Sequence, residues 1–167
     1  MNCQLLWSFF IVFSLSINFA TAQDFHVPTN YQLKTTTDFD RYEADFLKTV
    51  DWLTTNAPNA KNRMQANAFT MAYLEGVPKF TVEIRSYITT LTDANPELIL
   101  VFLGNWGKFA LQNPNQSKDF HACGMAGLNA TLAYYQEFKS LKPDKDLDKL
   151  LKLQEGGRLG KWLEKQM

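Results

Sequence analysis

The apolar positions of this chain fall into helical periods divided by short polar breaks. Phe39, Tyr42, Phe46, Val50 and Leu53 recur at intervals of three and four, which puts them on one face of a helix. Thr37 or Asp38 is placed to cap that helix, acidic residues crowd its first turns, and it ends before Pro58. A second helix is predicted from Asn59 or Ala60 through Met64, Ala68, Met71, Ala72 and Leu74, where Gly76 and Pro78 stop it together. The two read as a helical hairpin.

Lys79 to Leu91 carries two patterns at once. Phe80, Val82 and Ile84 alternate as on a strand, whereas Phe80, Ile84, Tyr87, Ile88 and Leu91 form a helical stripe. Helix is the reading adopted, with a strand as the alternative, because no other segment offers a strand to pair with.

Asn95 is placed to cap the next helix, with Pro96 in its first turn and Glu97 near its positive end. This helix, spanning 96–112, carries no charge from Leu98 to Gly107 and must stop by Asn113, since Pro114 disfavours helical geometry in its predecessor. Ser117 is expected to cap a longer helix over 117–140. Gly104 and Gly107 on the first, and Ala122, Cys123, Ala126, Gly127 and Ala130 on the second, are small where a helix interior favours larger residues, each glycine costing about 1 kcal/mol against alanine. A seam in which the two backbones approach closely would offset that cost.

Beyond Pro143, Asp144 or Asp146 caps an amphipathic segment with Leu147, Leu150, Leu151 and Leu153, closed by Gly156-Gly157. A last short piece, Leu159 to Leu163 with Trp162, is expected to pack back on the body. Lys145, Lys149, Lys152, Lys161 and Lys165 read as a solvated face.

These elements predict an all-α fold: a compact bundle of five to seven antiparallel helices built from helical hairpins over 38–167, preceded by an extended leader at 23–37. Pro-led breaks at LTTNAPN, LTDANPE and SLKPDK raise a degenerate α-hairpin repeat as the alternative, but their uneven spacing favours an ordinary bundle.

The first 22 residues change the setting of this domain. Leu5 to Ile17 is apolar and is followed by Ala20-Thr21-Ala22, a small-x-small cleavage pattern, so 1–22 reads as a cleaved export signal, shorter than the ~20 apolar residues of a membrane span. The expected protein is exported, periplasmic or secreted, and without a membrane attachment after cleavage. Seventeen basic and seventeen acidic residues, all beyond the signal, leave it neutral, which argues against a nucleic-acid partner. Cys3 departs with the signal, so Cys123 is the single thiol of the mature chain and no internal disulfide holds the fold.

No HExxH, GxSxG, Walker loop, GxGxxG or CxxC is present, and the residues imply no cofactor, metal site or assigned catalytic group. The densest constellation is Asp119, His121 and Cys123, with Asn129 further along the same helix. On a regular helix His121 points away from the face shared by Asp119 and Cys123, so the three cannot ligate one ion. His26, alone in the leader, reads as a solvated histidine. Asn105, Trp106, His121, Cys123, Asn129 and Tyr134 are the ligand-binding candidates, the glycines between them opening a pocket floor.

The function expected from these observations is a non-catalytic binding or interaction module of the extracytoplasmic space, with a protein or a small apolar ligand as partner. Alternatives are a carrier with a cavity between the 96–112 and 117–140 helices, or an enzyme using His121 or Cys123. Intact-mass measurement of protein recovered from a secreting host is expected to give a chain beginning at Gln23; a chain still beginning at Met1 would sink the signal assignment.

Overall fold

The computed structural model describes residues 25–167, so the signal expected at 1–22 lies outside the described residues. Among them are seven α-helices and one 3-10 turn, with no strand: α1 (Thr36–Thr55), α2 (Arg63–Gly76), α3 (Ser86–Thr92), α4 (Leu98–Gln112), α5 (Phe120–Glu137), α6 (Lys145–Glu155) and α7 (Leu159–Glu164), the turn Pro114–Gln116 lying between α4 and α5. No helix of the described residues is long and apolar enough to cross a membrane.

Helix α4 is the axis of the bundle, packed by α1, α2, α3 and most extensively by α5, which in turn carries α6 and α7. Because α1 touches α5 as well as α4, the helices close round one core rather than stacking as a row of repeats.

Helix α1 buries the expected stripe, Phe39, Phe46, Val50 and Leu53. Its cap is Thr35, upstream of the expected Thr37 or Asp38: the Thr35 hydroxyl accepts from the Asp38 N–H at 3.3 Å, and the Asp38 carboxylate accepts from the Thr35 N–H at 2.9 Å. Asp38 therefore completes a capping box.

Helix α2 departs further from expectation. It opens at Arg63, not at Asn59 or Ala60, because residues 57–62 form turns and Asn62 takes a left-handed φ of 72°. The predicted stripe is also on the wrong face. Met64 is 76% exposed and Ala68 and Met71 are exposed, while Ala66, Phe69, Thr70 and Tyr73 are buried. Aromatic area decides it: Tyr73 stacks on Phe46 at 4.3 Å and meets Phe39 edge-on, burying more than the methionines of the opposite face would.

Lys79 to Leu91 is a helix only in its second half, α3. Residues 80–85 take no regular secondary structure, held because Thr81 O accepts from the Trp106 indole N–H at 3.2 Å and Phe80 is buried against Gly107.

Two caps move for a common reason, that a side chain near a helix start takes whichever partner is in reach. Asn95 leaves α4 uncapped and pairs instead with the backbone of Lys142, donating from Nδ2 to its O at 3.0 Å and accepting from its N–H at 2.8 Å. Ser117 donates to Pro114 O, and Asp119 caps α5 by accepting from the Ala122 N–H at 3.0 Å. The Asp144 cap of α6 is as expected, accepting from Asp146 and Leu147 N–H. Gly157, at φ 65°, then turns the chain so that the Arg158 N–H donates to Leu153 O at 2.8 Å, closing α6 as a Schellman motif.

The small residues of α4 and α5 do not face one another as a single seam. A Cβ at Gly127 would lie 2.7 Å from Phe102 O, so α5 does press its backbone against α4. Gly104, by contrast, faces Val50 of α1, and Gly107 faces Phe80, Leu74 of α2 and Phe46 of α1, leaving room for the other side of the same helix. The leader straps this side: Phe25 stacks on Trp52 at 4.8 Å, Val27 is buried, and Tyr31 meets Phe69 edge-on at 5.0 Å.

Gly127→Ala is expected to destabilise the fold by about 1–3 kcal/mol, because the obstacle is backbone and the overpacking outweighs any gain in helix propensity. Gly160→Ala, whose Cβ would meet only His121 at 3.7 Å, is expected to be neutral or stabilising by up to about 1 kcal/mol. Urea unfolding of both variants checks the contrast.

Candidate functional site

The residues that the sequence marks for chemistry are each taken up in holding helices together. Cys123 has no exposed surface, and its Sγ lies 3.7 Å from Gln116 O beneath the 3-10 turn. Burial, with a smaller contribution from Asp119, pushes its thiol up to about 11, away from the thiolate that nucleophilic chemistry needs. His121 Nε2 sits 3.1 Å from Gly160 O, and a carbonyl acceptor requires that nitrogen to carry the hydrogen. It ties α5 to α7, while Cys123 is engaged by the turn before α5.

The other candidates are as widely separated in role. Asn105 Nδ2 donates to Thr54 Oγ1 at 2.9 Å and to Val101 O at 2.8 Å, joining α4 to α1. Trp106 is 1% exposed and spends its N–H on Thr81. Tyr134 OH donates to Asn56 O at 2.8 Å, and Asn129, at the surface, accepts from Gln154 Nε2 at 2.8 Å. These side chains do not converge on one space.

One buried charge escaped the sequence reading. Arg63 is 5% exposed and donates from Nη1 to Leu53 O at 3.0 Å and Asn56 O at 2.8 Å, with its guanidinium 5.2 Å above the Tyr134 ring. Those carbonyls end α1, the negative end of its dipole, and Glu97 adds a further attraction to the cation, while Nε and Nη2 have no hydrogen-bond partner among the described residues. Burial lowers its pKa from the usual arginine value. Only its position just past the Asn59–Lys61 turn could have suggested this, since an arginine that follows a helix end can fold back on its carbonyls.

Among the concavities of the described residues is a cleft of about 200 Å³ between α3, α6 and α7. Tyr87 and Leu91, four apart on α3, give it one wall, and Leu150 of α6 its floor; Leu91 and Leu150 are buried at its base. The Gly156-Gly157 turn sends α7 back against α5 and α6, so that half-buried Trp162 forms the other wall, edge-on to Tyr87 at 5.7 Å. Burial raises the Tyr87 hydroxyl to about 12, which keeps this wall neutral. Ser86, Asp146, Lys149 and Gln166 make the rim polar.

Lys149 also borders a second, shallower groove of about 410 Å³, where it is joined by Lys145, Lys152, Arg158, Leu153 and Asp148. The two concavities lie on adjacent faces of α6. Among the sequence-level candidates none lines either one. Tyr87, Leu91, Leu150 and Trp162 were visible as apolar positions, but which helix ends meet is a property of the packed chain.

Cys123 is expected to resist an aromatic disulfide reagent in the native protein and to react once when the chain is unfolded. The sign with pH is set by the proton: the unfolded thiol releases it near 9.0 and the folded one near 11, so stability is full below that window and falls as pH rises through it. Rapid native labelling at mildly alkaline pH would overturn the sealed reading. A scan of family models, a search of curated proteins and a search of solved structures each return no match to this chain.

Proposed function

We propose that this protein is a non-catalytic binding module of the extracytoplasmic space, and that it engages its partner at the cleft between α3, α6 and α7. The observation that carries the reading is the pairing of Tyr87 and Trp162 over an apolar floor, an aromatic-walled concavity with a polar rim. Export rests on the apolar run and Ala20-Thr21-Ala22 at the start of the sequence.

Two further observations support binding over catalysis. The groups best suited to acid, base or nucleophilic work, His121 and Cys123, are engaged with Gly160 O and Gln116 O and lie outside the cleft. The cleft, at about 200 Å³, is also below the ~300–1,000 Å³ of sites that enclose drug-sized ligands. It is sized for one side chain or a comparably small molecule.

A fragment screen read by two-dimensional NMR is the test. Aromatic and aliphatic fragments are expected to move the resonances of Tyr87, Leu91 and the Trp162 indole together. Trp162→Ala is expected to weaken them about tenfold, the range of an interface anchor, and Thr90→Phe, which fills the cleft from an exposed position, to abolish binding. Fragments that scatter over the surface, or that survive Thr90→Phe, would sink the reading.

A further inference from the structure

The cleft and the groove beside it differ in chemistry, and the difference names a partner. Four cations, Lys145, Lys149, Lys152 and Arg158, surround the groove against one carboxylate, Asp148, which is already accepting from Tyr135 OH at 3.2 Å. None of the four forms an ion pair among the described residues, whereas Lys79, Arg85 and Lys108 do. Lys145, Lys149 and Lys152 are spaced four and three apart on α6, so at ~1.5 Å rise per residue their row runs about 10 Å. That is the reach of about three extended residues at ~3.3 Å each.

Resting on the cleft reading above, we propose that the partner is an acidic peptide segment: an apolar anchor side chain enters between Tyr87 and Trp162, and neighbouring Asp or Glu carboxylates meet the α6 cations. Lys149 borders both concavities, so it sets the distance between anchor and first carboxylate. The size of the cleft matches one side chain rather than a lipid tail or an extended polyanion, and the groove supplies charge complementarity where the chain as a whole is neutral. Recognition is therefore local and short-ranged. It depends on anchor and charge together, and is weakened by salt through the exposed lysines.

Three capped hexapeptides titrated into the full mature protein and followed by NMR test this: a Phe-Leu anchor flanked by Glu pairs, the same anchor flanked by Gln, and the Glu flanks around Ala-Ala. The Glu-flanked anchor is expected to bind saturably, moving the Trp162 indole and Lys149 backbone resonances. Replacing either flanks or anchor is expected to weaken it about tenfold, the scale of losing one anchor or a set of complementary charges. Lys152→Glu, a change at an exposed position of the groove that does not line the cleft, should weaken the Glu-flanked peptide alone and leave the Gln-flanked one unchanged. A Gln-flanked peptide that binds the cleft as tightly as the Glu-flanked one overturns the acidic partner and leaves the cleft reading standing. An Ala-Ala peptide that binds as tightly makes the groove a general polyanion surface and overturns the proposal. If no peptide moves the cleft resonances, the acidic-segment proposal and the cleft reading fail together.

Discussion

Helix α4 must be buried on nearly every side, and the rest of the molecule is arranged to allow it. A helix of 15 residues whose single charge is Lys108 cannot leave a broad face in water, so neighbours have to cover it from opposed directions. On one side the backbone of α5 comes close enough that Gly127 lies against the Phe102 carbonyl. On the other, Gly104 admits Val50 of α1, and Gly107 admits Phe80 together with Leu74 of α2 and Phe46 of α1. Any larger residue at these points would push a neighbour off the axis, and the core of Leu98, Val101, Phe102, Leu103 and Trp106 would lose its cover.

Once α4 is enclosed, the connections are under polar control. Asn95 binds the loop before α4 to the loop before α6 through both the N–H and the carbonyl of Lys142. Arg63 seals the carbonyl end of α1, and Tyr134 of α5 reaches the same end through Asn56 O. His121 carries the order outward by engaging Gly160, which holds α7 on α5. Each bond satisfies a backbone group that burial would otherwise strand; Arg63, Asn95 and Asp144 do this beside helix ends, while the buried threonines Thr49, Thr70 and Thr131 lie along helix faces.

The cleft is a by-product of that order. With α7 held by His121 and turned by Gly157, Trp162 comes to rest on Tyr87, and the space left between α3 and α6 is the concavity assigned to binding. A histidine that looks catalytic in the sequence thus contributes by positioning an aromatic wall. The same helix α6 offers leucines to the core, Leu150 to the cleft floor and lysines to the groove, so one amphipathic period supplies the core and lines both concavities.

By itself the sequence determined the helical class, most helix boundaries to within a few residues, the capping of α6, the Gly156-Gly157 stop and the divergence of His121 from Cys123. These follow from local chemistry: dihedral limits at Pro and Gly, the side-chain period of a helix, and caps within three residues. Only the tertiary structure decided which face of α2 turns inward, that Asn95 and Ser117 would leave their caps, that the glycines of α4 and α5 serve different neighbours, and where a cleft would remain. Apart from Ser117, whose partner Pro114 O is three residues away, these depend on partners distant in the chain. A period shows that a face exists, but competing burial of aromatic area against methionine, or of one backbone against another, selects the face that is covered.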